Sequence, residues 1–334
     1  FDEAMAAVKA DIGEARAIET QQLLRLYPSV SSLVGSALSR EGQLWCRRPE
    51  HPEFLQVRLG TGAMAPAVTV RPPRRGGVVE LVKQQQALVE ASRLISEVPV
   101  VADLRSVGGV GLSGDAQLIT GVARGAVMQV AILHSPAEVV VACVTSSAMK
   151  EQWRWLEWLP HCTSPHSPVA GPLLAADDAR GRALLDQLDE LIDARAGEAP
   201  TPRGPVDGRE RLGEPVTPSV LVVVHDASVP TERLASIAER GPDAGVHVLW
   251  VAPSRAGLPA ACRTFLDISA DQGATVGMVR HERVVSGVST ESMDLDTAHV
   301  TARSLAPVVD ASAPLSDDSD LPRMVSVLGL LGQA

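Results

Sequence analysis

The side chains best placed to do chemistry fall in two stretches. The first is residues 98–133, VPVVADLRSVGGVGLSGDAQLITGVARGAVMQVAIL. It reads as a strand, a glycine-rich turn with Gly108, Gly109, Gly111 and Gly114, and a long helix. Leu118, Val122, Val127, Val130 and Leu133 recur at helical spacing, and Asp115 is the expected N-cap. A glycine turn feeding a helix N-terminus can hold an anion on free backbone N–H groups. A loop that cradles nucleotide phosphates reads Gly-x-x-x-x-Gly-Lys-Ser/Thr, with the lysine on the β- and γ-phosphates and the hydroxyl on magnesium. Here the residues are GLSGDAQ at 111–117. The lysine and the Gly-Lys-Ser/Thr ending are missing, and an acid stands where a phosphate would sit.

The second stretch is SVLVVVHD at 219–226. An apolar strand ending in an acid can hold Mg²⁺ in a nucleotide-hydrolysing site, usually with a Glu beside it to orient water. Here Ala227 and Ser228 follow Asp226, and a polar residue also ends many ordinary α/β strands. Together the two stretches predict a degenerate nucleotide cleft built on Gly111, Ser113, Gly114 and Asp226, with no catalytic residue, no metal and no cofactor. The alternative is a magnesium-dependent ATPase with an atypical loop. It would bind ATP and Mg²⁺, with Asp226 on the metal and Arg124 or Arg105 replacing the lysine. Arg124 falls about two and a half helical turns past Asp115, at ~1.5 Å per residue, rather far for that role. His161, Cys162 and His166 have the residue types of a metal site. Pro160 and Pro165 break any helix there and no second pair exists, so the segment reads as a polar loop.

The elements that position these groups point to an α/β fold. The runs at 138–144, 219–225 and 246–252 are apolar in the manner of buried parallel strands. Helical patterns at 79–95, 147–159, 175–196, 231–240 and 294–305 alternate with them. The expectation is a mostly parallel sheet flanked by helices, P-loop-like but degenerate, with 275–288 as an edge hairpin. Residues 1–38 are helical, with Met5, Val8, Ile12, Ala15 and Ile18 in one stripe and a break at Tyr27-Pro28. They either project as a stalk or pack on their own domain. Residues 43–75 read as a small β unit carrying Arg47, Arg48, Arg58, Arg71, Arg74 and Arg75. Those arginines either face anionic headgroups or find partners inside the molecule. Trp155 and Trp158 lie three apart on one helical face and are the candidate interface residues, with core packing as the alternative.

Composition narrows the classes. The chain has 334 residues, of which 45% are hydrophobic and only 3% aromatic, so Val, Leu and Ala must fill the core. A net charge of −10 argues against a nucleic-acid binder, which needs clustered Lys and Arg. Cys46, Cys143, Cys162 and Cys262 form no Cys-x-x-Cys pair and read as reduced thiols. No run approaches the ~20 apolar residues of a membrane span, and no secretory leader is recognisable. A start at Phe1 reads as a piece of a longer chain.

The segment LWCRRPEHPEFLQVRLGTG at 44–62 resembles the stretch that follows the membrane helices in the EccC family, the FtsK/SpoIIIE-like ATPases of type VII (ESX) secretion systems. VVADLRSVGGVGLSGD at 100–115, QVAILHSPAEVVVACVT at 129–145 and WRWLEWLPHCTSP at 153–165 are similar to that family's first cytosolic domain, in the same order. SLAPVVD at 304–310 and LGLLG at 328–332 resemble the approach to its first ATPase module. The resemblance implies a helical stalk at 1–43, a small β-rich unit at 44–78, a degenerate ATPase-like domain at 79–310 and a linker at 311–334. It implies a non-catalytic assembly and regulatory role at the cytoplasmic face of the bacterial inner membrane. The implied partners are the other type VII membrane components and downstream ATPase modules of the same chain, with secreted substrate only indirect and no nucleic acid. Gly111 and Gly114 then match loop glycines and Asp226 the metal-holding acid.

Overall fold

In the computed structural model the described residues are 2–40, 42–71, 79–106, 108–198, 215–269 and 273–311. In chain order the elements are α1 (Asp2–Leu26), α2 (Val30–Ser39), β1 (Gln56–Met64), α3 (Val79–Ala91), β2 (Ile95–Asp103), β3 (Val110–Gly114), α4 (Ala116–Leu133), β4 (Val139–Thr145), α5 (Lys150–Trp153), β5 (Leu174–Ala175), α6 (Asp178–Glu198), β6 (Ser219–His225), α7 (Thr231–Arg240), β7 (Val246–Ala252), β8 (Thr264–Ser269), β9 (Gly273–Met278), β10 (Arg283–Thr290) and α8 (Leu295–Leu305). The strands form one sheet in the order β2-β1-β10-β9-β8-β3-β7-β6-β4-β5. From β8 to β5 every pairing is parallel; from β8 to β2 every pairing is antiparallel.

The parallel half is α/β as the apolar runs require. β4, β6 and β7 are buried along their whole length. Alternate residues of β4 serve two cores. Val139, Val141 and Cys143 pack on the side of α4, and Val140, Ala142 and Val144 on the side of α6 and α7. α4 is apolar around its circumference and is buried from Ile119 to Leu133, as such a helix must be. It is long and apolar enough to cross a membrane by composition, yet it is a core helix. Two of its polar side chains are tied to other elements inside. Gln129 bonds both the N–H and the C=O of Arg58 on β1, and Arg124 donates to the Met293 carbonyl.

Three expectations change. β1 is not part of a separate β unit, because it pairs with β2 and with β10 in the common sheet. That pairing also takes β9–β10 away from the edge, where β2 stands instead. Residues 1–43 are not all stalk: α2 buries Val30, Leu33 and Ala37 in the core beside α4 and α8. The join between α1 and α2 is gripped by buried arginines. Arg47 donates to the Leu26 carbonyl and stacks over Tyr27; Arg58 donates to the Tyr27 carbonyl and pairs with Glu291. Glu291 in turn accepts from the N–H of Val30, the first residue of α2. Arg48 pairs with Glu138 and Asp310. For these three arginines the intramolecular reading is the one realised. Arg74 and Arg75 lie outside the described residues, as does most of the linker at 311–334.

Candidate functional site

The long helix does begin where expected, but not behind a loop. β3 runs straight into α4 with only Asp115 between them. The Asp115 carboxylate accepts from the N–H of Gln117 at 3.0 Å and of Leu118 at 3.2 Å. Two of the free N–H groups that open a helix are thus satisfied by the chain's own anion. An incoming phosphate would meet a carboxylate rather than the positive end of a helix dipole.

The glycines divide between the two ends of β3. Gly108 and Gly109 make the turn before it, at the end opposite Asp115, and Gly108 has φ +87°. A side chain on Gly108 would run into the Ala261 carbonyl. Gly111 and Gly114 are strand residues rather than loop residues, and the phosphate role expected of them is not supported by their positions. Gly111 makes room for Leu258. Gly114, at φ +143°, lets the strand end lie close against the Ile268 carbonyl on β8. Ser113 is fully buried and donates to Asp267 at 2.5 Å, so its hydroxyl is not offered to a metal.

Asp226 is placed where a ligand could reach it. It follows β6 on the same edge of the sheet as Asp115, and β3 and β6 are separated only by β7. Open α/β sheets bind ligands along that edge. Asp226 has φ +51°, a conformation Asp tolerates, and accepts from the Ser146 hydroxyl at 2.7 Å. Among the described residues no three His, Cys, Asp or Glu side chains gather as a metal site would need. Neither arginine can stand in for a lysine. Arg105 sits beyond β2 at the opposite end of the sheet, bonded to Asp103. Arg124 is buried, with its guanidinium bonded to the Met293 carbonyl and the Gln152 amide oxygen. Among the described residues neither Asp115 nor Asp226 makes an ion pair, and two acids without a paired cation are a poor fit for a triphosphate.

His225 lies beside Asp226. Burial pushes its pKa below the ordinary value, Arg124 adds to that, and Asp226 opposes it. Its Nδ1 accepts from Trp153 Nε1 at 3.1 Å. That bond ties the sheet edge to the tryptophan segment, where α5 tightens into a 3-10 turn over Arg154–Trp158. The change of pitch brings Trp153 and Trp155 together, with ring centroids 6.2 Å apart. Trp155 is fully buried, so the interface role expected of it gives way to core packing. Trp158 is 46% exposed and lies under the Arg303 guanidinium, 4.8 Å from ring to carbon. A cavity of about 380 Å³ opens there, lined by Glu151, Arg154, Glu157, Trp158, His299 and Arg303. Sequence reading found only Trp158 among these. His299 and Arg303 are one turn apart on a helix, but nothing local shows that α8 lies beside Trp158.

The segment after Trp158 is not a polar loop. His161 is fully buried in a short 3-10 turn and donates through Nε2 to the His134 carbonyl at 2.8 Å. Cys162 donates to the Val141 carbonyl, and burial pushes its thiol pKa far up. Both side chains are committed to backbone.

No protein-family model matches the chain. Curated relatives do. It is 29% identical over 300 residues to the ESX secretion system protein EccC of Thermomonospora curvata, covering 86% of this chain and 21% of that protein. It is 26% identical over 255 residues to EccC of Geobacillus thermodenitrificans, covering 73% and 16%. It is 31% identical over 165 residues to EccC4 of the Mycobacterium tuberculosis ESX-4 system, covering 45% and 13%. The chain thus spans about a fifth or less of the length of these relatives. Among solved structures, the cytoplasmic domain of the T. curvata type VII secretion ATPase EccC aligns with TM-score 0.49 at 13% identity, over 89% of this chain and 36% of that one. EssC (ATPases 2 and 3) of G. thermodenitrificans aligns with TM-score 0.48 at 11% identity, over 79% and 50%. The assignment rests on the sequence relatives, since both scores fall below 0.5. The sequence relatives of this chain are thus the EccC proteins of ESX secretion systems.

Proposed function

We propose that this chain is a non-catalytic assembly and regulatory domain of a type VII secretion motor, coupling a membrane channel to downstream ATPase modules of the same chain. It would work at the cytoplasmic face of the bacterial inner membrane, with other type VII membrane components as partners and secreted substrate met only indirectly. The observation that carries the reading is Asp115, whose carboxylate occupies the helix N-terminus that a phosphate would need. The α1–α2 join supports a coupling role. With Arg47 and Arg58 holding the Leu26 and Tyr27 carbonyls, a displacement of α1 passes to the sheet instead of being absorbed at Pro28.

The test uses the full-length protein carrying Asp226→Ala. ATP turnover and secretion retained near the wild-type level fit a non-catalytic domain. A loss of turnover of about tenfold or more, equivalent to ~1.4 kcal/mol of barrier, would favour the magnesium–ATP reading and overturn this one.

A further inference from the structure

One run of bonds crosses the molecule from the α1–α2 join to the Asp226 edge. At the join, Arg58 on β1 donates to the Tyr27 carbonyl at 3.0 Å and pairs with Glu291 at 2.5 Å. Glu291 accepts from the Val30 N–H at 2.6 Å. It follows β10 directly and stands two residues before Met293. That segment is pressed onto α4, where two residues lack a side chain. A Cβ on Gly121 would strike the Ser292 hydroxyl, and Gly125 lies against Val30 and the Glu291 carbonyl. Met293 donates its N–H to the Gly121 carbonyl at 3.0 Å, and its own carbonyl accepts from Arg124 Nε at 3.0 Å. Arg124 also donates to the Gln152 amide oxygen on α5 at 3.0 Å. The next residue, Trp153, donates to His225 at 3.1 Å, beside Asp226.

Two features let such a run carry motion. Arg58 and Arg124 are buried, and a buried guanidinium cannot trade a lost partner for water, so each moves with the groups it holds. Transmission also needs an element with two arrangements. After Trp153 the backbone of α5 tightens from α to 3-10 over Arg154–Trp158, a change of pitch that marks a hinge. Gln152 and Trp153 stand at that junction, held by Arg124 on one side and His225 on the other.

We propose that these bonds form a relay, in which a displacement of α1 against α2 reseats α5 and with it the Asp226 edge. By reciprocity, a contact made at that edge alters the hold on α1. This rests on the reading of the domain as a coupler and names the parts that carry the motion.

The test cuts the run in the middle, at the half-buried Gln152. Gln152→Met removes the acceptor for Arg124 at nearly constant volume, and Gln152→Glu restores one. The readout is hydrogen exchange at the Val30 amide, compared with the Leu188 amide in the core on the other face of the sheet. In Gln152→Met, Val30 exchange should rise about fivefold more than Leu188 exchange, a coupling of ~1 kcal/mol. Gln152→Glu should bring it back to the wild-type rate. From the other end, Glu291→Gln keeps an acceptor for Val30 and removes the charge on Arg58. It should move the Trp153 indole N–H resonance, and should not move it when Gln152→Met is already present. Equal responses at Val30 and Leu188 would mean general loss of stability and overturn the relay. So would no recovery in Gln152→Glu, an unmoved Trp153 resonance in Glu291→Gln, or a movement that survives Gln152→Met. Loss of turnover in the full-length Asp226→Ala protein would sink the non-catalytic reading and leave the relay standing.

Discussion

Acid should unfold this domain through three buried histidines. His134, His161 and His247 are sealed in the interior. Burial holds their pKa values down to about 3, about 4 and about 3. At His134 the Nδ1 bond to the Val130 carbonyl opposes the shift but does not overcome burial, and the neighbouring charge of Arg47 lowers the pKa further; Nε2 is already taken up in accepting from the Leu55 N–H. In the unfolded chain each histidine titrates near 6.5. Above that pH the stability they contribute is fully present. As the pH falls below it, the unfolded chain takes up three protons that the folded chain refuses. Each histidine then costs about 1.4 kcal/mol per pH unit, so the three together cost about 4 kcal/mol per unit and about 6 kcal/mol by pH 5. A domain stable by ~5–15 kcal/mol loses much of its margin there. Urea unfolding from pH 7.5 to 5, with proton uptake measured on unfolding, gives the slope directly, and His247→Leu should cut it by about a third. A midpoint unchanged down to pH 5, or uptake of less than one proton, would refute the reasoning.

Other outcomes follow from the same contacts. Arg58→Met leaves Glu291 and the Tyr27 carbonyl without their partner. It should cost about 3–5 kcal/mol and speed proteolysis at the α1–α2 join, whereas a melting point like the wild type's would show that the clamp carries nothing. Asp115→Ala removes the cap bonds to Gln117 and Leu118 and should cost about 1 kcal/mol, seen as a melting point lowered by roughly 2 °C. Native thiol labelling should find one fast group, Cys46, which is exposed. Burial pushes Cys143 well above the ordinary thiol value and Cys262 up to about 12, and a second fast thiol would contradict that.

The parts of the fold legible in the sequence were those with a strong local period. β4, β6 and β7 are continuous apolar runs because they are buried on both faces, and α4 shows its register and its N-cap. β3 was hidden because two of its five residues are glycine, chosen for close approach to Leu258 and Ile268 rather than for strand propensity. Missing it joined the Gly108–Gly109 turn to the start of α4 and made a self-capped helix look like a damaged phosphate loop. The pairing of β1 with β10 was out of reach for a different reason. Gly60 opposes Thr290 across most of the chain, and no local pattern encodes such a contact. Trp155 and Trp158 share a face only on an ideal α-helix; the tightened turn at Arg154–Trp158 buried one and left the other under Arg303. Asp226 was found because a strand-ending acid is visible in sequence, but its partner Ser146 was not.

The central claim is that Asp115 closes this sheet edge to phosphate. Calorimetric titration of the chain with ATP and Mg²⁺, beside Asp226→Ala, tests it most directly. The account predicts no heat of binding and no thermal shift at millimolar ATP for either protein. Binding tighter than roughly 100 μM, about −5.5 kcal/mol, that is lost in Asp226→Ala would contradict it and make this edge a working nucleotide sensor.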